Sequence, residues 1–245
     1  MIGTRFYGRM GNVLFQAAHT VALALKHDEE FSFPNRTNEP NWNPLYLQHL
    51  VNPKWVQWRE DVLINENGMQ YQDIEFKKEW RGKQVVLNGY WQTEKYFKEY
   101  RNEILYLFNF PYEFKKDVVS IHVRRGDYVN LRAKHPEVTK EWFEKAMAMF
   151  PDKQFKVYSD DISWCAHTFG GRDNITYSSN SNEVDDLVEM SCCESNICSP
   201  STFSWWSMWL NQNPNKRVVF PTFWFTEGWG GLNTNDVVPE WCEKL

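Results

Sequence analysis

The chain has 245 residues, of which 42% are hydrophobic and 24% are charged. This length and composition are typical of a globular protein with one large or two small domains, and they exclude a mainly disordered chain, a collagen and a coiled coil. The formal charge of −5 at pH 7 argues against a general nucleic-acid binder, because such a protein needs a basic surface.

Short apolar strands alternate with helical patterns in the first half of the sequence. A helix follows the GRMGN turn because apolar residues recur there at helical spacing, and a stretch rich in proline and asparagine predicts a long loop further on. The predicted elements are, in chain order, a strand over residues 2–7, a helix over 13–25, a strand over 30–33, a loop over 34–53, a strand over 84–87 and a helix over 94–108. Residues 54–81 give no clear assignment.

The alternation is sharper in the second half, after Pro111 and the charged stretch 113–117. The predicted elements there are a strand over 118–123, a helix over 139–150 with Thr139 as N-cap, a strand over 154–158, a helix over 183–193, a strand over 196–199, a helix over 202–210 and a strand over 217–220. The charged stretch therefore separates a predicted N-terminal domain, residues 1–112, from a C-terminal domain, residues 113–245. Such alternation predicts an α/β fold whose parallel sheets carry helices on both faces.

Polar clusters follow three of the predicted strands of the C-terminal domain. They are residues 122–127 (HVRRGD), the pair Asp160 and Asp161, and residues 199–202 (SPST). The carboxyl ends of parallel strands lie along one edge of a sheet, where ligands bind. We therefore expect arginine side chains, carboxylates and a helix N-terminus to meet in one crevice.

The adjacent pair Arg124 and Arg125 suits a phosphate group, because guanidinium groups stay charged and bond phosphate oxygens in pairs. Neighbouring residues of an extended segment point to opposite faces, so one arginine is expected to face a ligand while the other braces the loop. Asp127 is placed to orient one guanidinium. The alternative is an ordinary salt-bridge cluster on the surface.

The helix predicted over residues 202–210 opens with Ser201, Thr202, Phe203 and Ser204. The backbone N–H groups of a first helical turn have no partner within the helix, and they suit a phosphate. The alternative is ordinary N-capping by Ser201 or Thr202.

Asp160 and Asp161 allow three interpretations. The first is a metal-binding pair. The second is a pair of acceptors for the N1–H and the exocyclic amine of guanine. The third, for one of them, is a cap for a helix that starts near Ser163. We favour guanine, because no third carboxylate lies nearby in the sequence and the Asp-x-Asp spacing of metal-dependent sugar transferases is absent.

Gly8, Gly11 and Asn12 join the first predicted strand to the first helix, where glycine allows a tight turn and a close backbone approach. The segment lacks the glycine spacing and the following acidic residue of a dinucleotide site, so NAD binding is poorly supported.

The sequence shows no pattern typical of a metal site, a signal peptide or a membrane span. The six histidines do not cluster and the five cysteines include no CxxC pair, so we expect no bound metal and reduced thiols. The N-terminus lacks the basic flank and cleavage site of a signal peptide, and no apolar run approaches the roughly 18 residues of a membrane span. We therefore expect a soluble, cytoplasmic protein without a signal peptide or an integral membrane segment, with peripheral attachment to a membrane left open.

Five segments, in this order along the chain, resemble those of the α-1,2-fucosyltransferases that use GDP-L-fucose: GRMGNVLFQAA, LNGYWQTEKYF, SIHVRRGDYV, VYSDDISW and DLVEMSCCESNICSPSTFSWWSMWLN. The third carries the His-x-Arg-Arg-x-Asp motif that α-1,6- and protein O-fucosyltransferases share. The sequence departs from the family pattern at Val13, Ser195 and Pro200, and the last two departures lie where the donor is expected to be positioned.

The resemblance implies two Rossmann-like halves that face a cleft, as in the GT-B fold, with the acceptor on the N-terminal half and the GDP-sugar on the C-terminal half. It implies an inverting, metal-independent transfer of L-fucose from GDP-L-fucose to a galactose-containing glycan, as in a galactoside α-1,2-fucosyltransferase. The implied catalytic residues are Arg124, Arg125 and Asp127. The implied donor-binding residues are His122, Arg124, Arg125, Asp160, Asp161, Ser201, Thr202, Phe203, Ser204, Gly8, Gly11 and Asn12.

An inverting displacement needs a base near the acceptor hydroxyl, and Asp127, His135 and Glu137 are candidates of which none stands out. Two alternative functions stay open. Another GDP-sugar transferase, of the α-1,6-fucosyltransferase type, shares the HVRRGD segment. A non-catalytic glycan-binding relative accounts for the aromatic content of 17%, although it needs no intact arginine pair.

Overall fold

A computed structural model describes residues 1–34, 44–51, 53–57, 59–227 and 229–245. The chain divides into two compact units. Unit 1 is Met1–Phe110 with Asn233–Pro239, and unit 2 is Pro111–Leu232 with Glu240–Leu245. The predicted boundary between residues 112 and 113 lies beside this division, but no sequence pattern indicates that Asn233–Pro239 belongs with the N-terminal part.

Unit 1 is built on a three-stranded parallel sheet in the order β1–β5–β4, with a separate parallel pair formed by β2 and β3. Its strands and helices are β1 (Ile2–Thr4), α1 (Met10–His27), β2 (Phe33–Pro34), β3 (Trp55–Val56), β4 (Val62–Asn65), β5 (Val85–Asn88) and α2 (Arg101–Phe108). The central strand β5 is buried at Val85, Val86 and Leu87, as expected for a strand with a neighbour on each side.

The helix predicted over residues 13–25 is confirmed as α1. The helix predicted over 94–108 is wrong in its first half, where Glu94–Tyr96 and Lys98–Tyr100 form 3-10 turns. Phe97 stands between these turns with φ −147° and ψ 0°, and its ring is buried. Burial of this side chain outweighs the helical spacing of the sequence, so regular α-helix starts only at Arg101.

Other expectations for unit 1 are met in part. Of the strand predicted over 30–33, only Phe33 belongs to β2, and Phe31 forms an isolated bridge with Ile2. Within the loop predicted over 34–53, Pro44–Leu47 forms a 3-10 turn. Residues 35–43 and 52 of that loop lie outside the described residues. The unassigned stretch 54–81 contains β3 and β4.

Unit 2 is built on a six-stranded sheet in the order β11–β10–β9–β6–β7–β8, with parallel pairing throughout. Its elements are β6 (Lys115–Val123), α3 (Lys140–Ala148), β7 (Gln154–Ser159), α4 (Ile162–Phe169), β8 (Ile175–Tyr177), α5 (Glu183–Cys192), β9 (Cys193–Ile197), α6 (Thr202–Leu210), β10 (Val218–Phe220) and β11 (Glu243–Lys244). The prediction of parallel sheets is confirmed in both units.

Helices cover both faces of the sheet of unit 2, as predicted. Val119, Ile121 and Val123 of β6 belong to an apolar cluster that includes residues of α3 and α4. The alternate residue His122 contacts Phe203 of α6 instead, because successive side chains of a strand point to opposite faces.

The expectations for unit 2 hold at the long elements and at the short strand predicted over 217–220, which is β10. The helix over 202–210 is confirmed as α6, and Thr139 caps α3 by accepting from the backbone N–H of Trp142 at 3.3 Å. The strand predicted over 196–199 instead covers Cys193–Ile197, because α5 ends at Cys192 and passes directly into β9. Strands β8 and β11 were not predicted.

None of the helices within the described residues has both the length and the hydrophobicity needed to traverse a lipid bilayer.

A buried amide network ties β9 to α5, α6 and β6. The Nδ2 of Asn196 donates to the hydroxyl of Ser120 at 2.7 Å and to the carbonyl of Met190 at 2.9 Å. The Nδ2 of Asn211 donates to the carbonyl of Cys193 at 2.7 Å and to Oδ1 of Asn196 at 2.9 Å. Both asparagines are fully buried, so each of these polar groups depends on the others.

We expect Asn211→Ala to lower the free energy of unfolding by about 1–3 kcal/mol, because the Cys193 carbonyl and Asn196 Oδ1 lose a buried donor. Urea unfolding followed by circular dichroism measures the effect. Asn215→Ala, at an exposed position, is the matched control and is expected to leave the midpoint in place. Equal midpoints for Asn211→Ala and the unsubstituted protein would contradict this account.

Candidate functional site

The three polar clusters predicted from the sequence meet at the carboxyl edge of the sheet of unit 2. Strand β6 ends at Val123 and β7 ends at Ser159, and the arginine pair and the aspartate pair follow them. The backbone N–H of Arg124 donates to the hydroxyl of Ser199 at 3.2 Å, and that of Arg125 donates to Oδ1 of Asp160 at 2.9 Å. Hydrogen bonds therefore join the ends of β6, β7 and the segment after β9.

Arg124 is held by two carboxylates and one ring. Its guanidinium pairs with Asp127, three residues along the chain, and with Asp160 at 2.5 Å. It also lies over the ring of Tyr128, 5.0 Å from the centroid. The side chain is 14% exposed, so the guanidinium is largely removed from water and its charge is balanced locally.

Arg125 is held from a different direction. Its Nε donates to Asp161 at 3.2 Å and its Nη1 donates to Glu137 at 2.8 Å. The guanidinium lies over the ring of Trp164 at 3.8 Å from the centroid, a close cation–π contact. Its partners therefore come from α4 and from the loop before α3, whereas the backbone of Arg124 is tied to the segment that leads into α6.

Asp161 caps α4, since its Oδ1 accepts from the backbone N–H of Trp164 at 3.1 Å. The capping interpretation is thus what the structure shows for this aspartate. Asp160 instead lies against the backbone of Gly126, where an added Cβ would come within 2.3 Å of its Oδ2. Glycine at this position is required for the carboxylate of Asp160 to approach β6 and bond both arginines.

The first turn of α6 has no side-chain cap. Ser201 occupies the N-cap position with extended backbone, but its side chain makes no capping hydrogen bond. Thr202 begins the helix, and the hydroxyl of Ser204 is buried without a hydrogen-bond partner among the described residues. The alternative interpretation was N-capping by Ser201 or Thr202. Ser201 makes no capping hydrogen bond and Thr202 is the first helical residue, so the first-turn N–H groups keep their capacity for an anion.

His122 lies beside this helix opening. Its ring is 5.3 Å from that of Phe203, and its carbonyl accepts from the hydroxyl of Ser199 at 2.6 Å. The Nδ1 atom is buried and has no hydrogen-bond partner among the described residues. Burial, and in second place the charge of Arg124, lowers the pKa of His122 to about 3, so the ring is neutral at physiological pH.

Of the three candidate bases, Asp127 pairs with Arg124, and His135 and Glu137 also contact neighbouring side chains. The ring of His135 stacks on that of Tyr128 with centroids 3.7 Å apart, and burial lowers its pKa to about 4. Glu137 pairs with Arg125 and, at 2.9 Å, with Arg132. Glu137 and Trp164 are therefore parts of the arginine site. The sequence analysis identified neither residue as a partner of Arg125.

Gly8, Gly11 and Asn12 belong to unit 1 and form a second, separate group. Gly8 has φ +74°, and an added Cβ there would come within 2.2 Å of Nδ2 of Asn12. Oδ1 of Asn12 accepts from Nε2 of Gln92 at 2.9 Å. Gln16 also bonds the carbonyl of Gly89 at 3.0 Å, so two of the sequence segments that carry the resemblance are hydrogen-bonded to each other.

Within the part of the chain that the structure describes, no group of three or more His, Cys, Asp or Glu side chains is arranged to hold a metal ion. The site can instead hold an anion through fixed arginines and backbone N–H groups, with neutral histidine nearby.

Comparisons with known proteins identify the family and the fold. The family model described as Glycosyl transferase family 11 matches residues 1–242. The O-antigen biosynthesis glycosyltransferase WbnK of Escherichia coli is 38% identical over 120 residues, an alignment that covers 44% of this chain and 39% of WbnK. An alpha-1,2-colitosyltransferase of Escherichia coli is 29% identical, with coverage of 98% of this chain and 97% of its own.

Galactoside alpha-(1,2)-fucosyltransferase 2 of Bos taurus is 25% identical over 83% of this chain and 67% of its own. Among solved structures, POFUT1 in complex with GDP-fucose superposes with a TM-score of 0.51 and 13% identity, covering 89% of this chain and 96% of that chain. This likeness concerns the fold, and it confirms the prediction of a GT-B type fold.

We expect the ring signals of His122 to keep a constant NMR chemical shift between pH 8 and pH 5, because its pKa is lowered to about 3. The unfolded chain binds a proton near pH 6.5 that the folded chain does not, so this group makes the unfolding free energy fall by about 1.4 kcal/mol per pH unit as pH drops below that value. The same protein in urea, where the ring titrates near about pH 6.5, is the control. A titration midpoint between pH 5 and 8 in the folded state would contradict the buried, neutral assignment.

Proposed function

Since the chain belongs to glycosyl transferase family 11, it is a glycosyltransferase, and we propose that it transfers L-fucose from GDP-L-fucose to a hydroxyl of a galactose-containing glycan, forming an α-1,2 linkage. The proposal includes inversion at the anomeric carbon and independence from metal ions. The observation that carries it is the meeting of Arg124, Arg125 and the uncapped start of α6 at one sheet edge, because that arrangement suits a sugar diphosphate.

The names of two relatives support the donor and the linkage. A galactoside alpha-(1,2)-fucosyltransferase supports fucose as the sugar and galactose as the acceptor, and the alpha-1,2-colitosyltransferase aligns with 98% of this chain. A colitosyl donor is therefore the second candidate, and direct comparison of the two donors decides between them.

Arg124 and the first turn of α6 are proposed to bind the diphosphate. The backbone of Arg124 is bonded to Ser199, two residues before the N-cap of α6, so the end of β6 is tied to the segment that leads into this helix. GDP leaves with negative charge developing on its β-phosphate. Fixed donors that stabilise that charge lower the barrier without a metal ion.

Arg125 is proposed as the bracing arginine. Its guanidinium is shared between Asp161 and Glu137 and stacks on Trp164, so its bonding capacity is used to hold α4 and the loop at Glu137 against β6. The sequence predicts that one arginine faces the ligand while the other braces the loop. We assign Arg124 to the ligand and Arg125 to the loop.

Guanine recognition is proposed for Asp160. Asp161 caps α4, whereas Asp160 bonds Arg124 and the backbone N–H of Arg125 at the strand end and is 27% exposed, so its remaining lone pairs are proposed to face guanine. A carboxylate accepts two hydrogen bonds from the N1–H and N2 amine of guanine, whereas adenine presents an acceptor at N1 and no N2 amine.

Catalysis is proposed to rest on the leaving group more than on a general base. Asp127 is paired with Arg124, and Glu137 is paired with two arginines. The pKa of His135 is lowered to about 4, which makes it a weak proton acceptor. The acceptor hydroxyl then attacks as the bond to GDP breaks, and its proton passes to solvent.

A cytoplasmic location is part of the proposal. Cys165, Cys192, Cys193 and Cys198 are buried, free thiols. Burial raises the pKa of the thiols of Cys193 and Cys198 to about 12, so these groups are protonated and unreactive. Free thiols in this number are typical of proteins from a reducing compartment.

The test is transfer by the purified protein, with GDP-fucose or GDP-colitose as donor and lactose as acceptor, in buffer with and without EDTA. We expect GDP release that depends on lactose and survives chelation, and an α-1,2-fucosylated product by NMR. GDP is expected to inhibit at least about tenfold better than ADP, because the wrong base leaves a buried polar group unpaired.

Two outcomes would count against parts of the proposal. Activity with GDP-colitose alone would replace the donor, and loss of activity on chelation would overturn the metal-independent mechanism. In Asp160→Asn the preference for GDP over ADP is expected to collapse. In the matched variant Asp161→Asn the preference should persist while the melting temperature falls, because Asn still caps α4 but no longer carries the charge that pairs with Arg125.

We expect Arg124→Ala to reduce kcat by roughly 100-fold to 1,000-fold, by analogy with the loss of one oxyanion donor. Arg125→Ala should act mainly through the fold, lowering the melting temperature because Asp161 and Glu137 lose their partner. Steady-state kinetics and thermal melts of both variants measure the difference. Turnover close to that of the unsubstituted protein in both variants would exclude the phosphate-binding role.

A further inference from the structure

A second set of polar and aromatic side chains lies at the carboxyl edge of the sheet of unit 1. Strands β1, β5 and β4 are parallel, so their carboxyl ends share one edge. Asn65 is the last residue of β4, Asn88 is the last residue of β5 and is its register partner, and Tyr7 follows β1. The arginine site of unit 2 contains none of these residues.

Hydrogen bonds join these side chains into one row. The hydroxyl of Tyr7 donates to Oδ1 of Asn88 at 2.7 Å, and Nδ2 of Asn88 donates to Oδ1 of Asn65 at 2.6 Å. The row keeps further capacity at its amides, because each amide nitrogen carries two hydrogens, whereas the side chain of Tyr7 is also hydrogen-bonded to Arg5. Such alternating donors and acceptors match the hydroxyl groups of a sugar.

Two tyrosine rings stand beside this row. The rings of Tyr7 and Tyr90 have centroids 6.2 Å apart and planes tilted by 56°. Tyr7 is 37% exposed and Tyr90 is 46% exposed, so both rings present faces to solvent. Exposed aromatic faces next to fixed amides suit the C–H face and the hydroxyls of a neutral pyranose.

The position of Tyr90 is fixed by a partly buried carboxylate. Oε2 of Glu66 accepts from the backbone N–H of Tyr90 at 2.6 Å, and Oε1 accepts from that of Trp91 at 2.8 Å. Gly89 permits this approach, because an added Cβ would come within 2.3 Å of Cβ of Glu66. Trp91 adopts φ +57°, an uncommon value for a non-glycine residue, and is fully buried. The segment 89–91 is thus held in a special conformation that presents the Tyr90 ring.

We propose that Tyr7, Tyr90, Asn65 and Asn88 form the subsite that binds a neutral hexopyranose ring of the acceptor glycan, with Glu66 as the positioning residue for Tyr90. The proposal rests on the proposed glycosyltransferase reaction and adds to it the residues that select the acceptor. The three side chains of the row are uncharged, and Arg5, which is hydrogen-bonded to the side chain of Tyr7, is paired with Glu60 at 2.5 Å. This local charge balance favours a neutral sugar over an acidic one.

The test separates the acceptor from the donor. In Tyr90→Ala the KM for lactose is expected to rise about tenfold, while the KM for GDP-fucose and the slow release of GDP without acceptor stay within about twofold of the unsubstituted protein. Tyr7→Phe, which keeps the ring and loses the bond to Asn88, should raise the KM for lactose by a smaller factor. Tyr106→Ala removes a tyrosine that is 74% exposed on α2 and is the matched control, with all constants unchanged.

An unchanged KM for lactose in Tyr90→Ala would overturn the proposal, as would a rise confined to the KM for GDP-fucose or an equal effect in Tyr106→Ala. Saturation-transfer NMR with lactose and the isolated protein tests the subsite without turnover. If the unsubstituted protein transfers no sugar, the proposed reaction fails. A lactose signal that is lost in Tyr90→Ala and kept in Tyr106→Ala would still support the subsite, whereas equal signals in the three proteins would overturn it.

Discussion

The arrangement of unit 2 depends on the need to neutralise two adjacent guanidinium groups that are largely removed from water. Arg124 and Arg125 are 14% and 13% exposed, and a charge that loses its hydration must find paired and hydrogen-bonded partners. The four carboxylates that supply them come from three places in the chain: the loop after β6, the end of β7 and the segment before α3. Their convergence fixes the carboxyl edge of the sheet, sets the start of α4 through Asp161, and requires glycine at position 126 so that Asp160 can approach.

The sequence predicts the residues of this site that lie close to the end of a strand, and it does not predict partners that are distant from each other along the chain. The arginine pair, the aspartate pair and α6 were found because each lies directly after a strand, where the pattern of apolar residues stops. Glu137 and Trp164 were not found as partners of Arg125, because each reaches it across the loop or strand that separates them in the sequence. The lack of a capping hydrogen bond from Ser201 to α6 could not be predicted either, since the residue type is the same whether or not its hydroxyl bonds the helix.

The same reasoning explains the errors in the fold. Helix α6 was located to the residue because nine consecutive positions fit a buried helix that follows a turn and precedes a polar loop. Strands β8 and β11 have three and two residues and exist because a neighbouring strand offers an edge, which is a property of the sheet and not of the segment. In residues 94–108 the helical spacing is real, but burial of Phe97 in a non-helical conformation breaks it.

Charge balance in the arginine site bears on how an anion is bound there. The two arginines with Arg132 contribute three positive charges, and Asp127, Asp160, Asp161 and Glu137 contribute four negative ones. These side chains together carry no net positive charge. In the proposed reaction, attraction for the diphosphate therefore has to come from the orientation of the hydrogen-bond donors, which are the guanidinium and the N–H groups at the start of α6. The carboxylates hold the guanidinium groups in place, and the proposed mechanism therefore needs little reorganisation as charge develops on the leaving group. The neutral state of His122 fits this design, because a ring that is uncharged beside Arg124 adds no repulsion to a cluster whose geometry depends on ion pairs.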